Sequence, residues 1–160
     1  MRRSDREIKS REDILAVLGK CSVMRLAINT PDYPYVVPLN YGVETEGGSI
    51  TLWFHCAAEG MKLDLIKADR RVGFEADCSH NLSAGGRACT YTMEYESVVG
   101  CGEVSIAEGN DAKRQGMLAI MRHYAPERDF DFTDSELADV CVLRLDVARI
   151  TGKRLKLAGG

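Results

Sequence analysis

The sequence is poor in the features that mark whole classes of protein. Four prolines and one tryptophan in 160 residues leave no proline-rich linker and no collagen-like repeat. No apolar run approaches the roughly 20 residues of a membrane-spanning helix. The basic start Met1-Arg2-Arg3-Ser4-Asp5-Arg6-Glu7 lacks the apolar stretch of a signal peptide. The expectation is a cytoplasmic protein with no membrane partner. Positive charge is not in excess either. Lys and Arg number 21 against 24 Asp and Glu, a net charge of -3, which offers no field for a nucleic-acid backbone. Three histidines without metal-ligand spacing argue against a metal centre. There is no G-x-G-x-x-G, no Walker lysine loop and no G-x-S-x-G, which disfavours Rossmann, P-loop and serine-hydrolase chemistry. The six cysteines are scattered without a C-x-x-C pair, and buried reduced thiols are expected. Cys78-Ser79-His80 places a thiol near an imidazole, but adjacent loop residues without a third partner make a poor nucleophile.

What is present is a globular composition, 45% hydrophobic and 28% charged, with no internal repeat or linker. A single domain over residues 1–160 is expected. Ser10 can cap a helix over Arg11–Leu18 that Gly19 would end, a second helix fits Met61–Ala68, and a third runs from Asp111 to Tyr124 before Pro126. Val23–Asn29, Tyr35–Tyr41, Ile50–His55, Val72–Asp77, Thr90–Ile106 and Val140–Ile150 read as strands. Gly100-Cys101-Gly102 interrupts the long fifth strand and predicts a bulge. Ser79–Ala88 and Pro126–Ser135 read as loops. Six strands with three peripheral helices predict a small antiparallel barrel.

Two segments carry candidate chemistry. Trp53-Phe54-His55-Cys56-Ala57-Ala58-Glu59-Gly60-Met61-Lys62 is a strand end passing through small residues into a helix start. Unpaired amides at a helix start bind anions, and Gly60 lets a ligand approach the chain. Lys62 in that first turn opposes the helix dipole unless an anion offsets it, although from this segment alone it reads first as a solvated lysine. His55 alone reads as an ordinary strand histidine. In Pro34-Tyr35-Val36-Val37-Pro38-Leu39-Asn40-Tyr41-Gly42, Pro38 removes a ladder donor and calls for an edge strand, whose free backbone groups a flat ring could use. Thr90–Gly102 adds Tyr91, Tyr95 and Ser97.

Collinear across the chain, these segments resemble a family. They are Met1-Arg2-Arg3 with Asp5-Arg6-Glu7-Ile8, Tyr35–Gly42, Phe54-His55 with Gly60-Met61-Lys62, Val72-Gly73-Phe74-Glu75-Ala76-Asp77, Tyr95-Glu96-Ser97-Val98-Val99-Gly100 and Thr151-Gly152-Lys153-Arg154. The sequence resembles the FMN-binding split β-barrels of the pyridoxamine 5'-phosphate oxidase-like superfamily, and within it the 5-nitroimidazole reductase (Nim-type) branch. The resemblance implies a six-stranded antiparallel split barrel and a homodimer with two FMN sites at the subunit interface. It places the flavin ring against Val37, Pro38, Leu39 and Asn40, with Phe54 and His55 flanking the cofactor. It gives the phosphate to Gly60 and Lys62, and brings Ser97 from the long strand. Lys153 and Arg154 would contribute across the interface. Met61 stands where the oxidases proper carry an arginine, so one phosphate contact of the family is missing from this segment. No vitamin B6 recognition segment is evident near the C-terminus. The implied function is an FMN-dependent oxidoreductase. It would pass electrons from a reduced nicotinamide cofactor (NADH or NADPH) to a small acceptor such as a 5-nitroimidazole, with His55 as proton donor, since imidazoles exchange protons near neutral pH. The alternative is a flavin- or haem-binding module without a dedicated substrate.

Overall fold

The computed structural model describes residues 3–157; the Met1-Arg2 end of the resemblance lies outside them. Eight strands form one antiparallel sheet, against the six expected. The two additions have clear origins. The stretch read as one strand from Tyr35 to Tyr41 breaks at Asn40 into β3 (Tyr35–Leu39) and β4 (Tyr41–Glu46), and a two-residue β1 (Glu7–Ile8) pairs with the end of the last strand. The others are β2 (Met24–Ile28), β5 (Ser49–Cys56), β6 (Arg71–Ser83), β7 (Thr92–Ile106) and β8 (Cys141–Leu155). Their order is β3-β2-β6-β7-β8-β5-β4, with β1 beside β8. The two ends of that order, β3 and β4, are joined through Asn40 alone. The sheet must therefore curl until its edges meet, which makes the split barrel.

Local chemistry explains the element boundaries. Helix α1 (Arg11–Lys20) is capped by Ser10, whose hydroxyl accepts from the Asp13 amide at 3.0 Å. Gly19 does not end it. The helix passes through Gly19, where open space surrounds the missing side chain, and closes with the Cys21 amide on the Val17 carbonyl. Helix α2 (Met61–Ala68) spans the expected range, and α3 (Gly109–Tyr124) starts two residues early. The stretch 79–88 is not all loop. β6 continues to Ser83 because Asn81, Leu82 and Ser83 find partners in Glu94, Met93 and Thr92. Ser79 and His80 stand against the single Tyr95, and the one extra residue bulges the strand at Ser79, which takes a left-handed φ of 60°. The end of the stretch 126–135 likewise enters a short α4 (Asp134–Ala138), started by Thr133 and Glu136 in a reciprocal capping box.

The barrel interior is filled by Leu26, Ile28, Leu52, Phe54, Phe74, Val98, Leu143 and Leu145, with Ile14, Val17 and Leu18 of α1 packed on them. Each such side chain stabilises the fold by roughly 1.5–3 kcal/mol through lost apolar surface. A second, smaller core lies outside the barrel, where α3 places Ala119 and Ile120 over Trp53 and Val142. Gly42 permits that approach, because a Cβ there would strike the Ala119–Ile120 backbone. The bulge read at Gly100–Gly102 occurs between Cys101 and Gly102, and its unpaired residue is Ala148 on β8. Among the described residues, no helix is long and apolar enough to cross a membrane.

Candidate functional site

The chain reverses from β3 to β4 at Asn40, and a tight set of bonds fixes that junction. Asn40 Nδ2 and Tyr124 Oη both donate to the Ser22 carbonyl, at 3.3 and 2.7 Å. The Tyr41 amide donates to Tyr124 Oη at 3.1 Å, and the buried Tyr41 hydroxyl donates to the Leu18 carbonyl at 2.5 Å. His123 lies between the rings of Tyr41 and Tyr124, each centroid 4.7 Å away, tilted to the first and edge-on to the second. Burial pushes the Tyr41 phenol far above its ordinary pKa, so it acts as a donor. The sequence reading missed Tyr124 and His123. A polar aromatic pair ending an amphipathic helix was the only signal available.

Around this junction the expected site residues gather in part. β3 is a sheet edge, as Pro38 called for: among the described residues its second side has no strand partner, leaving alternate backbone groups open. Val37 and Leu39 turn inward and pack against the core, while Pro38 is exposed. Tyr41 pairs with Phe54 in the last rung of the β4–β5 ladder, and Asn40 and His55 are the chain neighbours of that rung. His55 is exposed. Phe54 is not a flanking group: its side chain is fully buried, tilted against Tyr41 in the barrel interior. Alternation along β5 dictates this, since Phe54 and His55 must point to opposite faces.

β5 then leads through the exposed residues 57–60 into α2. Gly60 holds a φ of 129° as N-cap and supplies no side-chain cap. The Leu63 and Asp64 amides bond the Gly60 carbonyl, which leaves those of Met61 and Lys62 without an acceptor within the helix, and the space a Cβ of Gly60 would take is open. With the half-buried Lys62, this donor set fits a single phosphate. Met61 is 57% exposed and adds no charge to it.

Ser97 stands apart. Directly paired residues share a face, and the rungs Pro38–Arg25–Glu75–Val99 and Asp77–Ser97–Lys153 lie side by side on the outer face of the sheet. Ser97 is three strands from β3, on the order of 14 Å at the usual strand spacing. Between them Arg25 Nη1 bridges Glu75 at 3.0 Å and Asp77 at 2.6 Å. Burial, then the neighbouring Asp77, raise the Glu75 carboxyl. The same face carries exposed apolar side chains: Val36 at 55%, Val99 at 54%, and the paired Leu82 and Met93 at 65% and 42%.

Arg154 is engaged within the chain. It donates from Nε to Glu96 at 2.5 Å and lies 3.5 Å from Asp13. Glu96 is the sole buried carboxylate among the described residues, at 1% exposure, and also accepts from Lys20 Nζ at 2.7 Å. Burial opposes its ionisation, but the bonds from Lys20 and Arg154 prevail and hold its pKa at about 2. No cluster of three or more metal-type ligands occurs among the described residues.

A proposed 5-nitroimidazole antibiotic resistance protein of Bacteroides thetaiotaomicron is similar at 29% identity and a TM-score of 0.80, covering 92% of this chain and 86% of that one. A flavocytochrome of Azotobacter vinelandii shares the fold at 16% identity (TM-score 0.80, 98% of this chain, 72% of that one). An FAD and heme binding protein of Mycobacterium smegmatis does so at 18% (TM-score 0.81, 95% and 74%). No curated protein matches. The family model for pyridoxamine 5'-phosphate oxidase matches residues 10–154, nearly the whole split barrel, and the chain belongs to that family.

Proposed function

We propose that this chain is an FMN-dependent oxidoreductase, working as a homodimer. It would transfer electrons from NADH or NADPH to a small acceptor, a nitroaromatic such as a 5-nitroimidazole. The observation that carries the reading is the open start of α2, with Gly60 at a φ of 129° and no side-chain cap beside the half-buried Lys62, one short segment along the chain from the exposed His55. The likeness to the proposed 5-nitroimidazole resistance protein supports the acceptor class. One phosphate-sized donor set favours FMN. FAD is the relevant competitor, since a protein of the same fold is named for binding it.

When bound, the flavin supplies the electron transfer. The protein's part is placement. Lys62 and the first amides of α2 hold the phosphate, the unpaired edge of β3 from Val37 to Asn40 receives the ring, and His55 delivers a proton beside it. Phe54 contributes from below by fixing the register that turns His55 outward. Ser97 is too distant to serve a ring seated on β3 of its own chain. A second copy packed on the apolar outer face would bring its Ser97 to the ring.

The test separates the two roles. Lys62→Ala should weaken FMN binding about ten- to hundredfold, the loss of one charge-assisted contact, leave riboflavin binding unchanged, and recover turnover in excess FMN. His55→Ala should bind FMN nearly normally and lose nitro-acceptor turnover that added FMN does not restore. Equal affinity of wild type for riboflavin and FMN would refute the phosphate site. Normal turnover by His55→Ala at saturating FMN would refute the proton role. FMN binding without acceptor-dependent oxidation of NADH or NADPH would leave a binding module instead of an enzyme.

A further inference from the structure

We propose that Cys56 and Cys141 are a redox-modification site, a dithiol that closes to a disulfide by exchange with a small disulfide and ties β5 to β8. The pairing rests on sheet register and is independent of the flavin reading. Cys56 is the last residue of β5, Cys141 the first of β8, and the two are direct cross-strand partners. Direct partners in an antiparallel ladder have Cα atoms about 4.5 or 5.5 Å apart. Both separations fall inside the range a disulfide spans, about 4.4–6.8 Å. Their Cβ atoms leave the same face of the sheet. The rung is also the last of its ladder, so its geometry can adjust without dragging further pairs. Both thiols are free.

No other cysteines share a rung. Cys78 faces Glu96, and Cys101 faces Gly73 and Arg149. Cys21 and Cys78 interact through their side chains, but Cys21 is fully buried at the end of α1, and no ladder aligns the two.

The chemistry balances with a small disulfide RSSR as oxidant. The half-buried Cys56, as thiolate, attacks one sulfur of RSSR, breaking the S–S bond and expelling RS⁻. Cys141, as thiolate, then attacks the Cys56 sulfur of the mixed disulfide and expels the second RS⁻. The two cysteines lose two electrons and two protons, and RSSR becomes two RSH. Burial, then the neighbouring Cys56, push the Cys141 thiol up to about 11, while Lys113 and Lys62 pull the other way. The bond would anchor the segment between β5 and α2 to the start of β8.

The experiment uses the full wild-type chain with oxidised glutathione, followed by alkylation of remaining thiols and unreduced peptide mapping by mass spectrometry. The expected result is loss of two of the six thiols and a crosslinked peptide pair containing Cys56 and Cys141, lighter by two hydrogens. Cys56→Ser and Cys141→Ser should each abolish that crosslink. Retention of six alkylated thiols, a Cys21–Cys78 crosslink in its place, or a glutathione adduct on Cys56 that never closes would each overturn the proposal.

Discussion

Replacing Glu96 by Gln tests the energetics of the long strand directly. Glu96 is 1% exposed and carries its charge into the barrel wall, where Lys20 and Arg154 meet it at 2.7 and 2.5 Å. Its pKa falls from an ordinary 4.5 to about 2, and at about 1.4 kcal/mol per pH unit that amounts to about 3 kcal/mol of folding stability. Because the folded value is the lower one, this contribution is complete above pH ~4.5 and is lost as pH falls toward ~2. Gln keeps the shape but removes the charge. Lys20, half exposed, returns to water, and Arg154 keeps Asp13. Glu96→Gln should therefore lose about 3 kcal/mol near neutral pH, which for a chain of this size lowers Tm by roughly 6–12 °C. The assay is urea unfolding of both proteins across pH 2.5–7. Their difference should be flat above pH ~5 and fall to roughly a quarter of its neutral value by pH ~2.5; comparing the two cancels the other carboxylates. A difference under about 0.5 kcal/mol near neutrality, or one that persists undiminished at the acid end, would refute the reasoning.

Two further outcomes follow from packing. Gly42→Ala drives a Cβ into the backbone of α3, 2.5 Å from the Ala119 carbonyl oxygen, and should cost at least 1–3 kcal/mol as overpacking, visible as a lower urea midpoint. Val99→Glu places a charge amid the exposed apolar side chains of the outer sheet face. Light scattering should show a dimer for wild type and a 17.7 kDa particle for the variant; a wild-type monomer would remove the dimer from the proposal.

The positions of the strands were legible because β-rich runs were bounded by Gly, Pro, Asp or Asn, and the glycine pair in β7 marked the bulge. Asn40 was not legible as a corner. Nothing in Val-Pro-Leu-Asn-Tyr shows that one residue must join opposite edges of a sheet, since that is a property of the closed topology. The continuation of β6 past Ser79 was hidden for a related reason: Ser79, His80 and Asn81 look like turn residues, and only the waiting partners on β7 extend the ladder. Thr133-Asp134-Ser135-Glu136 was a readable capping box, passed over because the helix it starts is so short. Of the candidate site, the edge strand and the uncapped Gly60 were visible beforehand. That Phe54 faces inward and that Ser97 sits three strands away required the register of every ladder between.

The single-residue link at Asn40 has a consequence for the order of folding. β2–β3 and β4–β5 are hairpin-like pairs close in sequence, and β6, β7 and β8 form a meander of long ladders. The halves join through β5 and β8, where Thr51 meets Asp146 across 95 positions. That contact is entropically costly until the meander exists to receive it. The barrel should therefore close late, with β4 and β5 docking onto a preformed β8, and its seam should be the first place where amide protons exchange and the last where they become protected.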